Sequence, residues 1–112
     1  MLSDTERDAL EDIRDNIARA MRFVHGLDLD AFVADDKTFY AVTRCLEIIS
    51  EASRDLSPAF KARFPEIPRK QVAGSGNIYR HNYENVQEQR VWATIHDALP
   101  PLRAVVDAEL AA

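Results

Sequence analysis

The sequence predicts an all-α fold, an antiparallel bundle of four to five helices forming one domain over residues 1–112. Three observations carry that expectation. Apolar residues recur at spacings of three and four along most of the chain, the period of a helix with one buried face. No alternating run long enough for a strand interrupts them. Glycine (3) and proline (5) are too scarce for a turn-rich β architecture. With 46 % hydrophobic and 29 % charged residues, the composition is that of a globular chain rather than a disordered one.

The elements follow in order. Ser3-Asp4-Thr5-Glu6 reads as a capping box, the Ser3 hydroxyl accepting from the Glu6 amide. Leu10, Ile13, Ile17, Met21 and Val24 then form one apolar stripe of a long helix, which His25-Gly26 stops. Leu29, Phe32 and Val33 fit a short helical turn or a packed loop. Asp35 or Asp36 caps a second long helix, buried through Phe39, Val42, Leu46, Ile49 and Ala52, with Cys45 and Ile48 on its flanks. Ser57-Pro58 opens a short helix that Pro65 closes, and Pro68 to about Arg80 is helix-like despite Gly74 and Gly76. Asn85 caps a further helix with Val86, Trp92, Ile95 and Leu99 as apolar positions. Pro100-Pro101 breaks it, and Leu102, Val105, Val106 and Leu110 supply a last one.

Charge narrows the function classes. The net charge is -5, and 13 of the 19 acids lie in residues 1–56. Residues 61–83 reverse the sign, with Lys61, Arg63, Arg69, Lys70 and Arg80 against Glu66, and they carry His81, Tyr79 and Tyr83. A basic stretch with interleaved aromatics suits a phosphate or nucleic-acid partner; it equally suits a solvated surface. A single cysteine, no apolar run of about 18 residues and an acidic start predict a cytoplasmic chain without a membrane partner. His25, His81 and His96 have no ligand-type spacing, so no metal and no cofactor are expected. Cys45, His25 and His96 read as packing or surface residues. Gly74-Ser75-Gly76 lacks the residues of a phosphate loop.

Arg80-His81-Asn82-Tyr83 is denser in chemistry. Histidine both takes and returns a proton near neutrality, a guanidinium holds phosphate, and Asn77 stands four residues before His81 on the same helical face. As plain structure, Arg80 and His81 would meet the negative end of a helix dipole.

Phe64-Pro-Glu-Ile-Pro-Arg-Lys-Gln-Val-Ala-Gly-Ser-Gly-Asn-Ile-Tyr-Arg-His-Asn-Tyr83 resembles the signature segment of HepT-like proteins, minimal toxins of the HEPN superfamily. Arg44-Cys45-Leu46-Glu47-Ile48-Ile49-Ser50-Glu51-Ala52 resembles their second-helix segment, and Trp92 to Leu102 their C-terminal part. The resemblance implies a homodimer that sets two copies of the motif across one cleft, and a metal-independent ribonuclease. It also implies an RNA substrate and a nucleotidyltransferase antitoxin that silences the toxin by transferring AMP to the motif tyrosine. Asn77, His81 and Tyr83 fall on the family motif, whereas the position of its arginine holds Gly76. The expected site is therefore His81 as acid and base, with Asn77 and Arg80 beside it and Tyr83 as the modified residue. Arg44, which matches an arginine of the family's second helix, is expected with Arg69 and Lys70 to hold RNA phosphate. The alternative is a HEPN domain that has lost catalysis and binds nucleotide, RNA or a partner protein without cutting.

Overall fold

The computed structural model describes residues 2–59 and 85–112, apart from the side chains of Asn85 and Val86. The described residues are helical: α1 (Asp4–Val24), α2 (Leu29–Val33), α3 (Asp36–Arg54), α4 (Asn85–Ala93), a π turn (Thr94–Ala98) and α5 (Leu99–Ala111). The expected all-α bundle is what forms.

α1 begins as its capping box dictates. The Glu6 amide donates to Ser3 Oγ at 3.1 Å, and the Ser3 amide donates back to Glu6 Oε1 at 3.2 Å. The other Glu6 oxygen reaches across the fold, accepting from Ser57 Oγ at 2.7 Å and from the Ser57 amide at 3.4 Å. The start of α1 therefore lies beside the residues that follow α3, and the two helices run antiparallel. At its other end α1 stops at Val24, and Gly26 turns the chain at φ 81, a left-handed conformation that costs a side-chain-bearing residue about 1–2 kcal/mol.

The Leu29–Val33 stretch is a helical turn capped by Asp28, whose Oδ1 accepts from the Ala31 amide at 2.8 Å. Asp35, rather than Asp36, caps α3, accepting from the Thr38 amide at 3.0 Å and from Thr38 Oγ1 at 2.7 Å. α1 and α3 share the main interface, closed by Leu10, Ile13 and Ile17 against Val42, Leu46 and Ile49, all essentially without solvent exposure. α5 starts next to the end of α1, where Arg103 Nη1 lies 3.5 Å from Met21 Sδ, and packs back along α1. α2 lies between α3 and α4 and plugs that end of the bundle with Phe32, whose ring is 5.3 Å from Trp92 and 6.2 Å from Phe39. Buried hydroxyls are satisfied locally: Thr43 donates to the Phe39 carbonyl at 2.7 Å and Ser53 to the Ser50 carbonyl at 2.8 Å.

One expectation needs correction. Pro100-Pro101 does not break the helix: the chain stays helical from Asn85 through Ala111, with the prolines in the first turn of α5. Proline has no N–H to lose there, and its ring would clash with a carbonyl four residues back in a regular α-helix. The wider π turn at Thr94–Ala98 falls on those carbonyls. Trp92 packs against the core while staying partly exposed, and its neighbour Val91 is sealed within it. The helices expected between Pro58 and Arg80 lie outside the described residues beyond Pro58 and Ala59, both helical as a Ser57 cap predicts.

Candidate functional site

Of the residues expected to form the site, Arg44 is described; Asn77, Arg80, His81, Tyr83, Arg69 and Lys70 lie outside the described residues. The fold nevertheless fixes where the chain enters and leaves that stretch. Entry is at Leu56-Ser57, with Leu56 buried and Ser57 held by the Glu6 carboxylate. The Ser57 hydrogen bonds and the reciprocal Ser3 contacts hold the Glu6 carboxyl below the usual carboxylate range. Exit is at Asn85, and α4 is pinned six residues on by Val91. Early in α4, Glu88 Oε2 is buried with no hydrogen-bond partner among the described residues.

Arg44 sits on the solvent face of α3, which follows from the helical period: Val42, Cys45, Leu46 and Ile49 take the core and leave Tyr40, Arg44 and Glu51 outward. Tyr40, one turn before Arg44, is 71 % exposed. No carboxylate among the described residues lies within ion-pair distance of Arg44. With no ion pair among the described residues, the Arg44 guanidinium suits an external anion, and phosphate fits its forked donors. Cys45, the next residue, is buried; desolvation pushes its thiol up, opposed by the nearby charges of Arg19 and Arg22. It is a packing group, as its place in the stripe suggested, and a poor nucleophile.

A second feature had no local signal in the sequence. His25, the residue that ends α1, and His96, in the π turn, line one pocket of about 330 Å³ together with Met21, Leu27, Ile95 and Pro100. His96 packs against Trp92 with ring centroids 4.1 Å apart, and its Nδ1 lies 2.8 Å from the Trp92 carbonyl oxygen. A carbonyl only accepts, so Nδ1 is the donor in that contact. His25 and His96 are surface groups, as expected, but the fold gathers them at one opening.

The profile of the HepT-like family, described as Ribonuclease HepT-like, matches residues 13–109. This chain belongs to the HepT-like family. Its residues are 35 % identical over 99 positions to "Probable ribonuclease HepT" of Thermococcus cleftensis, covering 88 % of this chain and 90 % of that one. They are 32 % identical over 98 positions to "Putative RNase MJ1380" of Methanocaldococcus jannaschii, with 88 % and 90 % covered. "Putative RNase TTE0752" of Caldanaerobacter subterraneus is 32 % identical over 102 positions, with 91 % of each chain covered. No solved structure gives a significant match. The matched range includes α1 from Ile13 to its end, all of α3 and the whole 77–83 stretch, so family membership extends to both the helical scaffold and the motif-bearing part of the chain.

Proposed function

We propose that this HepT-like chain is a metal-independent endoribonuclease, the toxin of a type VII toxin–antitoxin pair. The observation that carries the reading is the family match over residues 13–109, among relatives named as ribonucleases, across a stretch that holds Asn77, His81 and Tyr83 in the motif order. In a homodimer, His81 of one protomer removes the proton of the substrate's 2′-hydroxyl, and the oxygen attacks the adjacent phosphorus. His81 of the partner protonates the departing 5′-oxygen, so the products end in a 2′,3′-cyclic phosphate and a 5′-hydroxyl. Each proton transfer of this kind contributes about 10²–10⁴-fold. Asn77 orients the imidazole, and Arg80 stabilises the charge on the phosphorane. Arg44, exposed and without an internal ion pair among the described residues, holds phosphate with Arg69 and Lys70. A nucleotidyltransferase antitoxin silences the enzyme by transferring AMP to the Tyr83 hydroxyl.

Expression in a bacterial host that lacks the antitoxin tests the reading. Growth arrest that His81→Ala abolishes is expected, and arrest that persists in His81→Ala overturns the assigned chemistry. One observation favours a second reading: Gly76 occupies the place of the family's arginine. Loss of one charge-stabilising group typically costs about 10²–10³-fold, which would leave a domain that binds RNA or a partner while cutting slowly or not at all. Harmless expression together with retained RNA binding is the outcome that reading requires.

A further inference from the structure

The Glu6 carboxylate joins two parts of the chain that lie 51 residues apart, and the nuclease reading gives it no role. One oxygen, Oε1, serves α1 itself: it accepts from the Ser3 amide at 3.2 Å and closes the capping box. The other, Oε2, serves the far side of the fold, accepting from Ser57 Oγ at 2.7 Å and from the Ser57 amide at 3.4 Å. A capping box needs only the first oxygen, and glutamine fills that position as well as glutamate does. The rule for a helix start therefore leaves Oε2 unexplained.

Ser57 is where the backbone hydrogen bonds that trail from α3 end. The Asp55 amide donates to the Ala52 carbonyl at 3.0 Å and the Leu56 amide to the Ser53 carbonyl at 3.4 Å, whereas the Ser57 amide turns to Glu6. Residues 58–84 follow, with Asn77, His81 and Tyr83 among them, and the chain rejoins the bundle in α4, where Gln87 and Val91 are buried. That stretch is joined to the bundle at two places, and Glu6 fixes the first. A hydroxyl has one hydrogen; giving it to Glu6 sets the Ser57 rotamer and leaves both lone pairs for the helical turn that Pro58 opens. The accepting charge is present at neutral pH, because these hydrogen bonds hold the Glu6 carboxyl below the usual carboxylate range. Two donors on one ionised oxygen fix direction as well as distance.

We infer that Glu6 is a positioning residue for RNA cleavage: through Ser57 it sets how the stretch bearing His81 leaves the bundle. The effect on catalysis rests on the nuclease reading, and the tether rests on the Glu6–Ser57 geometry alone. Misplacing a catalytic group by about 1 Å can cost 10²-fold in rate, so a fixed point of departure matters.

Steady-state cleavage of a short oligoribonucleotide by the intact chain tests it. Ser57→Asp keeps a side-chain acceptor for the helix start but has no hydrogen to give Glu6, and it sets a second carboxylate beside the first. Its kcat should fall about ten-fold while KM stays within about two-fold, the split expected of a displaced catalytic group. Adding Glu6→Gln to that variant reverses the polarity of the bond: the new amide donates to the new carboxylate, its oxygen keeps the capping box, and most of kcat should return. Ser57→Ala removes the donor without adding charge and should lower kcat too, so a misfolded Ser57→Asp does not decide the outcome. Ser3→Ala is the control: it weakens the start of α1 and lowers the melting temperature, but kcat should stay within about two-fold because Oε2 keeps Ser57. Parent kcat in both Ser57 variants, a loss that Glu6→Gln does not recover, or an equal loss in Ser3→Ala would overturn the inference while leaving the nuclease reading intact. A parent chain that leaves RNA uncut sinks that reading, and the catalytic role of Glu6 with it. Hydrogen exchange decides the tether in either case: the Ser57 and Ala59 amides should exchange about ten-fold faster in Ser57→Asp and recover with Glu6→Gln, and unchanged rates refute it.

Discussion

Arg44 and Cys45 are neighbours in sequence and opposite in role, and the helix period alone separates them. Arg44 faces solvent, so Arg44→Ala should change stability by no more than about 0.5 kcal/mol, as surface substitutions usually do. RNA cleavage should fall by at least about ten-fold, and Arg44→Lys should recover only part of it, because an ammonium lacks the forked donors that suit phosphate. Steady-state cleavage assays beside thermal melts check both. The buried Cys45 thiol has the reverse profile. Its thiolate is disfavoured, so a thiol reagent at pH 8 should react slowly with the native chain and fast once it is unfolded. The burial of Cys45 was legible in the sequence, because burial along a strongly periodic helix follows from spacing. The pocket shared by His25 and His96 was not. Their meeting depends on how α1 packs against the π turn, and nothing in either local stretch encodes that.

At the scale of elements, caps and turns decide the boundaries. Glu6 ties the first turn of α1 to Ser57, the residue from which the chain enters the motif-bearing stretch. Its folded-state pKa is lowered, so the stability it contributes is present above the ordinary carboxylate pKa and is lost as pH falls through the lower folded value. Asp35, lowered by its Thr38 hydrogen bonds, acts in the same direction. Glu6→Gln should therefore lower the melting temperature at pH 7, and the difference from the parent chain should shrink as pH falls below the ordinary carboxylate range and vanish once it has passed the lowered folded value. Melts across that pH series measure it. Gly26→Ala meets no steric obstacle but must hold φ 81, and should cost about 1–2 kcal/mol in denaturant unfolding. The capping box and the glycine stop were readable because each is a local chemical pattern. The path through Pro100-Pro101 was not: a proline pair marks a helix break or a helix start equally well, and only the packing of α5 against α1 selects the second.

At the scale of the whole molecule, the bundle is a scaffold whose core is built by α1, α3 and α5, with α2 and α4 closing one end. Leu46→Ala or Ile49→Ala, at its centre, should cost about 2–5 kcal/mol and unfold the chain as one cooperative unit. Fold class was legible because helical periodicity persists along nearly every described element. The proposed chemistry rests on the order Asn77, His81, Tyr83, residues that the family match spans; spacing by itself leaves His81 as compatible with a helix end as with catalysis. The proposed mechanism places two imidazoles on one ribose–phosphate junction, so it also requires a dimer in solution, and sedimentation equilibrium should find one.

The most direct measurement is the chemistry of the ends left on RNA by the purified chain in excess chelator. Cleavage yielding 2′,3′-cyclic phosphate and 5′-hydroxyl termini, lost in His81→Ala, is the predicted result. Intact RNA, cleavage at the same rate in His81→Ala, or products that bear 5′-phosphates would contradict it.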